Sequence, residues 1–314
     1  MAEILLVVAP VFLLIGAGYG AVRAGYLDGA VADALNAFAV RLAVPALLFL
    51  AIYRLDFSRA FDAGMLTAFY SGAIASFGLA VALARLAFGR TPAEAVAVGF
   101  SAMFSNTVLL GLPIIERAWG KDALAPAFAI VALHAPLLYV IGMTAMEMAR
   151  RGSEPLAVAA GRTLRAILGN ALMIGILAGA VCNGLAIRLP APVEASAAML
   201  AAAAIPAALV GIGAALTRYR IAAHWREAAA ISAVALLLHP AIALCLSQFA
   251  FGLPAEQMRA AVVLAAMPPG MNIYVFAVMY RRAEPLAASA ILLATALAPA
   301  TVSVWLAMLG RVAG

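Results

Sequence analysis

Charge is scarce along this chain. Asp, Glu, Lys and Arg together make up 11% of its 314 residues, where soluble domains carry about 25%. A soluble globule would lack the charge to cover its surface. Acidic residues are missing from the middle of every apolar run: Glu147 lies near the end of one, and Asp28, Asp33, Asp56 and Asp62 near ends or in breaks. An intramembrane enzyme would need a carboxylate pair or a nucleophile–base pair at membrane depth. A cation-coupled exchanger would need a buried carboxylate to release its ion. Both are disfavoured, and the chain is not expected to be an enzyme. Cysteine is nearly absent. Cys182 and Cys245 lie in apolar stretches and read as buried hydrophobes, so neither a disulfide nor a metal site is expected. No basic stripe with interleaved aromatics exists, so the net charge of +6 does not point to nucleic acid. No Lys or Arg precedes the first apolar run and no small-residue cleavage site ends it. It reads as a retained first helix and not a signal peptide.

Apolar residues are what the chain has: 67% of it. Ten apolar segments stand between charged or turn-rich breaks, at about 4–22, 31–53, 64–84, 93–115, 123–146, 166–186, 195–217, 228–250, 260–279 and 286–309. About 20 helical residues span the hydrocarbon, and lipid leaves backbone N–H and C=O groups to be satisfied within the segment, which favours helices. The period-two alternation of a membrane barrel is absent. The expectation is an all-α polytopic membrane protein of ten transmembrane helices. On one side the breaks hold twelve Lys and Arg, on the other seven. The positive-inside rule then places the central break, 147–165, in the cytoplasm and both termini outside. The expected location is a bacterial inner (plasma) membrane.

Landmarks recur. Pro45 and Pro206 each precede a small-apolar run in segments 2 and 7. Pro136 and Pro299 end similar stretches of segments 5 and 10. Asn106 and Asn272 stand inside segments 4 and 9. The near-constant spacing predicts a 5+5 inverted repeat, with halves 1–152 and 153–314, a plan common among secondary carriers. Segments 4 and 9 are interrupted. Pro268, Pro269 and Gly270 remove two N–H donors in mid-run, and Ser105, Asn106 and Thr107 put three polar side chains at the matching place. Broken helices at equivalent positions point to a midplane site. Helix starts there suit a carboxylate; a pair of locally satisfied proline kinks is the blander reading. Arg41 lies about ten residues into segment 2, near the bilayer centre by its rise. It is either an anion-attracting group or a cap for carbonyls freed by Pro45. His134 and His239 each stand beside a proline, where bonding a carbonyl is the simpler role.

The motifs Asn36-x-Phe38 and Pro45-Ala-Leu-Leu-Phe49, then Asn106-Thr107 with Gly111-Leu-Pro113, then Pro268-x-Gly270 followed by Val275-Phe276-Ala277 and Tyr280, occur in an order that resembles the auxin efflux carrier family of permeases, in the bile-acid-symporter-like superfamily. That family includes plant PIN carriers and bacterial malonate- or malate-type permeases. The resemblance implies broken helices 4 and 9 crossing at the substrate site. It implies a scaffold of helices 1, 2, 6 and 7, a mobile transport domain of helices 3–5 and 8–10, elevator-like motion and homodimers. Plant members have proline where this chain has Ser105 and Ile273, and an apolar residue in place of Asn272, so the site here is more polar than an indole-acetate pocket.

The expected function is a secondary carrier of small organic anions in the lipid bilayer, without cofactor. Ser105, Asn106, Thr107, Pro268, Gly270, Met271, Asn272 and Arg41 are the candidate substrate-binding residues. Gly111, Pro113, Pro268, Pro269, Pro45 and Pro206 are the candidate breaks and hinges. A passive anion channel or a non-transporting membrane sensor are the alternatives.

Overall fold

The computed structural model describes residues 2–150, 161, 165, 168–219 and 225–312. Among them all regular structure is helical: α1 (Ala2–Arg23), α2 (Gly29–Tyr53), α3 (Ala63–Leu86), α4 (Pro92–Met103), α5 (Leu112–Trp119), α6 (Leu124–Ala149), α7 (Ala171–Gly184), α8 (Ala191–Leu216), α9 (Trp225–Ala250), α10 (Ala255–Ala265), α11 (Asn272–Tyr280) and α12 (Glu284–Val312). Seven of these helices, α1, α2, α3, α6, α8, α9 and α12, are long and apolar enough to cross a membrane. Apolar segment 4 is the interrupted pair α4–α5 and segment 9 the pair α10–α11. The expected seam at 152–153 lies outside the described residues.

Prolines shape the helices from within. Three one-turn π segments, Ala39–Ala43, Thr107–Gly111 and Val234–Leu238, each stop two residues before a proline: Pro45, Pro113 and Pro240. A proline offers no N–H to the carbonyl four residues back and its ring presses on that carbonyl; widening the preceding turn relieves the clash. Side chains from other helices take up carbonyls freed in this way. The buried Trp305 indole N–H donates to Leu236 O at 2.9 Å, the oxygen Pro240 cannot serve. Arg117 donates to Leu6 O at 3.1 Å and Val7 O at 3.0 Å, the first of which loses its partner to Pro10.

The chain forms two compact units. The smaller comprises Pro10–Ala60 and Leu164–Arg218, the larger Met1–Ala9, Phe61–Thr163 and Tyr219–Gly314. In the smaller unit helices approach through glycine. A Cβ on Gly175 or Gly179 of α7 would collide with the backbone of Pro45 or Phe49 in α2, and one on Gly18 or Gly213 would strike the backbone of Val210 or Ile15. Lipid is as apolar as a leucine side chain, so such close packing and interhelical hydrogen bonds hold membrane helices together. Asn36 of α2 donates to Gly211 O of α8 at 3.0 Å. Asn183 of α7 donates to the last carbonyls of α2 and the turn after it, at Ile52, Tyr53 and Leu55. Arg218 ties to Asp33 and Gly29.

In the larger unit α3 packs on α4, α9 and α10. Arg90, before α4, holds the Glu227 carboxylate of α9 through two nitrogens, and Glu227 is only 4% exposed. Thr91 and Glu94 cap the start of α4 reciprocally, which leaves the other end of that helix to be explained.

Candidate functional site

Helix α4 stops at Met103 because Phe104 turns out of helical geometry (φ −95°, ψ 89°). Asn106 starts the next turn as its cap, its side-chain oxygen accepting from Leu109 N at 3.3 Å. In α10–α11 the break spans Ala266 to Met271, where Pro268 and Pro269 cannot donate. The two breaks meet. Ser105 and Pro269 form an isolated antiparallel bridge, and Asn106 N donates to Pro268 O at 2.9 Å. One carbonyl exposed by the double proline is thus satisfied by the other interrupted segment. Close approach needs Gly270: a Cβ there would sit 3.4 Å from Cβ and Cγ of Asn106. Gly111 serves the same end, since its Cβ would run into Leu264.

The antiparallel bridge also turns Gly270 N toward Phe104 O. Among the described residues the backbone N–H groups of Met271 and Asn272 have no acceptor, and α11 first donates backward at Ile273, to Gly270 O at 3.2 Å. The start of a helix carries about half a positive charge, and these donors are what it presents. Ser105 is 5% exposed and its hydroxyl has no hydrogen-bond partner among the described residues. A buried hydroxyl of that kind is costly unless something outside the protein serves it.

Neighbouring helices hold the crossing. His134 of α6 lies with Nε2 3.0 Å from Ser105 O, so its ring N–H donates to a carbonyl of the break itself. His239 bonds in the same way to Phe69 O at 3.1 Å, and the Phe69 ring lies against both imidazoles. Phe100 of α4 stacks on Phe276 of α11 with centroids 3.9 Å apart. The Tyr139 hydroxyl approaches Asn272 Oδ1 at 3.5 Å, long for a hydrogen bond. Tyr219 donates to Met271 Sδ at 3.0 Å, its ring beside Tyr274.

Of the candidate residues, Ser105, Asn106, Pro268, Pro269 and Gly270 converge at the crossing. Met271 and Asn272 open α11. Thr107 is buried in the π turn, with Gly111 and Pro113 just beyond. Arg41, Pro45 and Pro206 belong to the smaller unit. Arg41 is exposed in its π turn, with no hydrogen bond or ion pair among the described residues. Pro206 lies inside α8. The places of His134 and Tyr139 at the crossing were not foreseen; their polar groups in mid-run were the only signal.

A helical chain with seven span-length helices and two interrupted ones crossing inside one unit is a polytopic membrane protein of the transporter class. The chain belongs to the family described as membrane transport proteins, whose model matches residues 4–306; this is the auxin-efflux-carrier grouping that its motifs resemble. It is similar to a protein of Rhizobium meliloti (strain 1021) named "Putative malonate transporter", with 28% identity over 303 residues, 96% of this chain and 95% of the relative.

Proposed function

We propose that the chain is a secondary carrier for small organic anions, working by alternating access at the crossing of the two interrupted helices. The observation that carries this reading is the antiparallel bridge between Ser105 and Pro269, beside a helix start whose N–H groups lack acceptors. Donors of that kind favour carboxylates, and backbone breaks at membrane depth are tolerated where they line a cavity. Asn106 and Asn272 supply neutral donors.

In this reading the seven long helices, α7 and the two interrupted pairs make ten spans in a 5+5 inverted repeat. The direction of the bridge supports that arrangement, since inverted copies run antiparallel where they cross. The smaller unit, with α1, α2, α7 and α8, acts as scaffold. The larger, with α3–α6 and α9–α12, carries the substrate in an elevator-like motion. The protein works as a homodimer in a bacterial inner membrane with both termini outside. The relative's name makes malonate the first substrate to try.

The test is uptake by purified protein in proteoliposomes. Saturable malonate uptake with counterflow is expected, with KM raised at least about tenfold in Asn106→Ala and Asn272→Ala protein that still folds. Full activity in both variants removes the site, and an ohmic current without counterflow makes the protein a channel.

A further inference from the structure

Among the described residues of the larger unit, no Lys or Arg lies within eight residues of Asn106, Pro268 or Asn272 along the chain, and the imidazole at the crossing, His134, is engaged with Ser105 O. Arg259 and Arg281 are the nearest along the chain to Pro268 and Asn272, nine residues off in each case, about 13 Å along a helix. Arg259 is stacked on Trp119. Arg90 is engaged by Glu227 and Glu94, Arg117 by the carbonyls of Leu6 and Val7, and Arg150 lies over Tyr280. What the crossing offers is uncharged: the N–H groups of Met271 and Asn272, two carboxamides, and the buried, unpartnered hydroxyl of Ser105.

Two helical runs begin here, at Thr107 and Asn272. At about half a charge each they supply roughly one positive charge. Helices α4 and α10 end at the same place, and the negative ends of their dipoles offset part of it, so the crossing supplies at most one positive charge. We infer that the crossing accepts one negative charge per substrate: a monocarboxylate, or a dicarboxylate whose second carboxyl is protonated, and not a dianion. A second carboxylate would be desolvated with no cation of the larger unit to meet it. A protonated carboxyl is both donor and acceptor, which Asn106, Asn272 and Ser105 can serve. The inference rests on the proposed reading of the crossing as an anion site.

Malonate and monomethyl malonate, nearly alike in size, separate the two charge states in wild-type proteoliposomes. From about pH 6 to about pH 8 malonate becomes the dianion while the half-ester stays a monoanion. The expected result is a KM for total malonate that rises about tenfold per pH unit once the second carboxyl has ionised. The KM for the half-ester stays within about twofold, and one charge moves per malonate. A malonate KM that follows that of the half-ester across the range, or two charges moved per malonate, overturns the inference while leaving the carrier reading intact. Uptake of neither compound at any pH overturns the carrier reading itself.

Discussion

Replacing Asn106 by Asp separates the structural role of this residue from its proposed part in transport. The backbone N–H of Asn106 bonds Pro268 O at 2.9 Å, its Oδ1 accepts from Leu109 N, and its side chain lies against Gly270. Aspartate has the same shape and caps a helix as well as asparagine, so Asn106→Asp should unfold within about 0.5 kcal/mol of wild type. It loses the carboxamide donor, worth about 1.5–3 kcal/mol against a charged acceptor. It also places a like charge about 5 Å from the bound carboxylate, a repulsion of about 3 kcal/mol at an effective dielectric of 20. Together these amount to about 5 kcal/mol, more than roughly a thousandfold in affinity. Asn106→Ala should behave oppositely in proportion. Its fold loses about 1 kcal/mol with the cap, and its malonate KM rises only about 10- to 150-fold with the lost donor. Radiolabelled malonate uptake gives KM, and thermal unfolding in detergent gives stability. An Asn106→Asp protein that melts with wild type and takes up malonate with a KM within about threefold of it refutes the reasoning.

Three further outcomes follow from the packing. Trp305→Phe leaves the Leu236 carbonyl unserved and should cost about 1–3 kcal/mol; in a Pro240→Ala background, where a backbone N–H returns, the same change should cost much less, and additive effects in the double-mutant cycle would refute the pairing. Glu227→Gln removes one of the two carboxylates that compensate the partly buried Arg90 and should destabilise by about 1–3 kcal/mol, seen as a lowered melting temperature. Gly213→Ala drives a methyl into the backbone of Ile15 and should cost about 1–3 kcal/mol, whereas Gly16→Ala in α1, with open space at its Cβ, should melt close to wild type.

The breaks in segments 4 and 9 were legible because two different chemistries contradict a continuous apolar helix there: a double proline with glycine, and three consecutive polar residues. Their meeting was an expectation of the repeat, but its register was not legible. The landmarks matched Asn106 to Asn272, whereas the backbone pairs Ser105 with Pro269, and offsets of one and three residues lie below what scattered prolines can define. Segment 9 read as one run from 260 to 279, while α10 begins at Ala255 after Pro254 and ends ahead of the break. His134 and Tyr139 escaped for another reason. Their partners lie 29 and 133 residues away, and helical periodicity gives the direction of a side chain on its own helix, not what waits opposite. The same holds for Gly175 and Gly179. Their spacing signals a close helix contact, but that the contact is with Pro45 and Phe49 is a fact of tertiary packing.

The unserved donors at the start of α11 belong to the main chain, and no codon change at Met271 or Asn272 short of proline can delete them. Alanine scanning will therefore understate how strongly this part of the protein holds its cargo. The decisive perturbation is chemical: swapping the amide that follows Gly270 or Met271 for an ester, which erases one N–H and leaves every side chain in place.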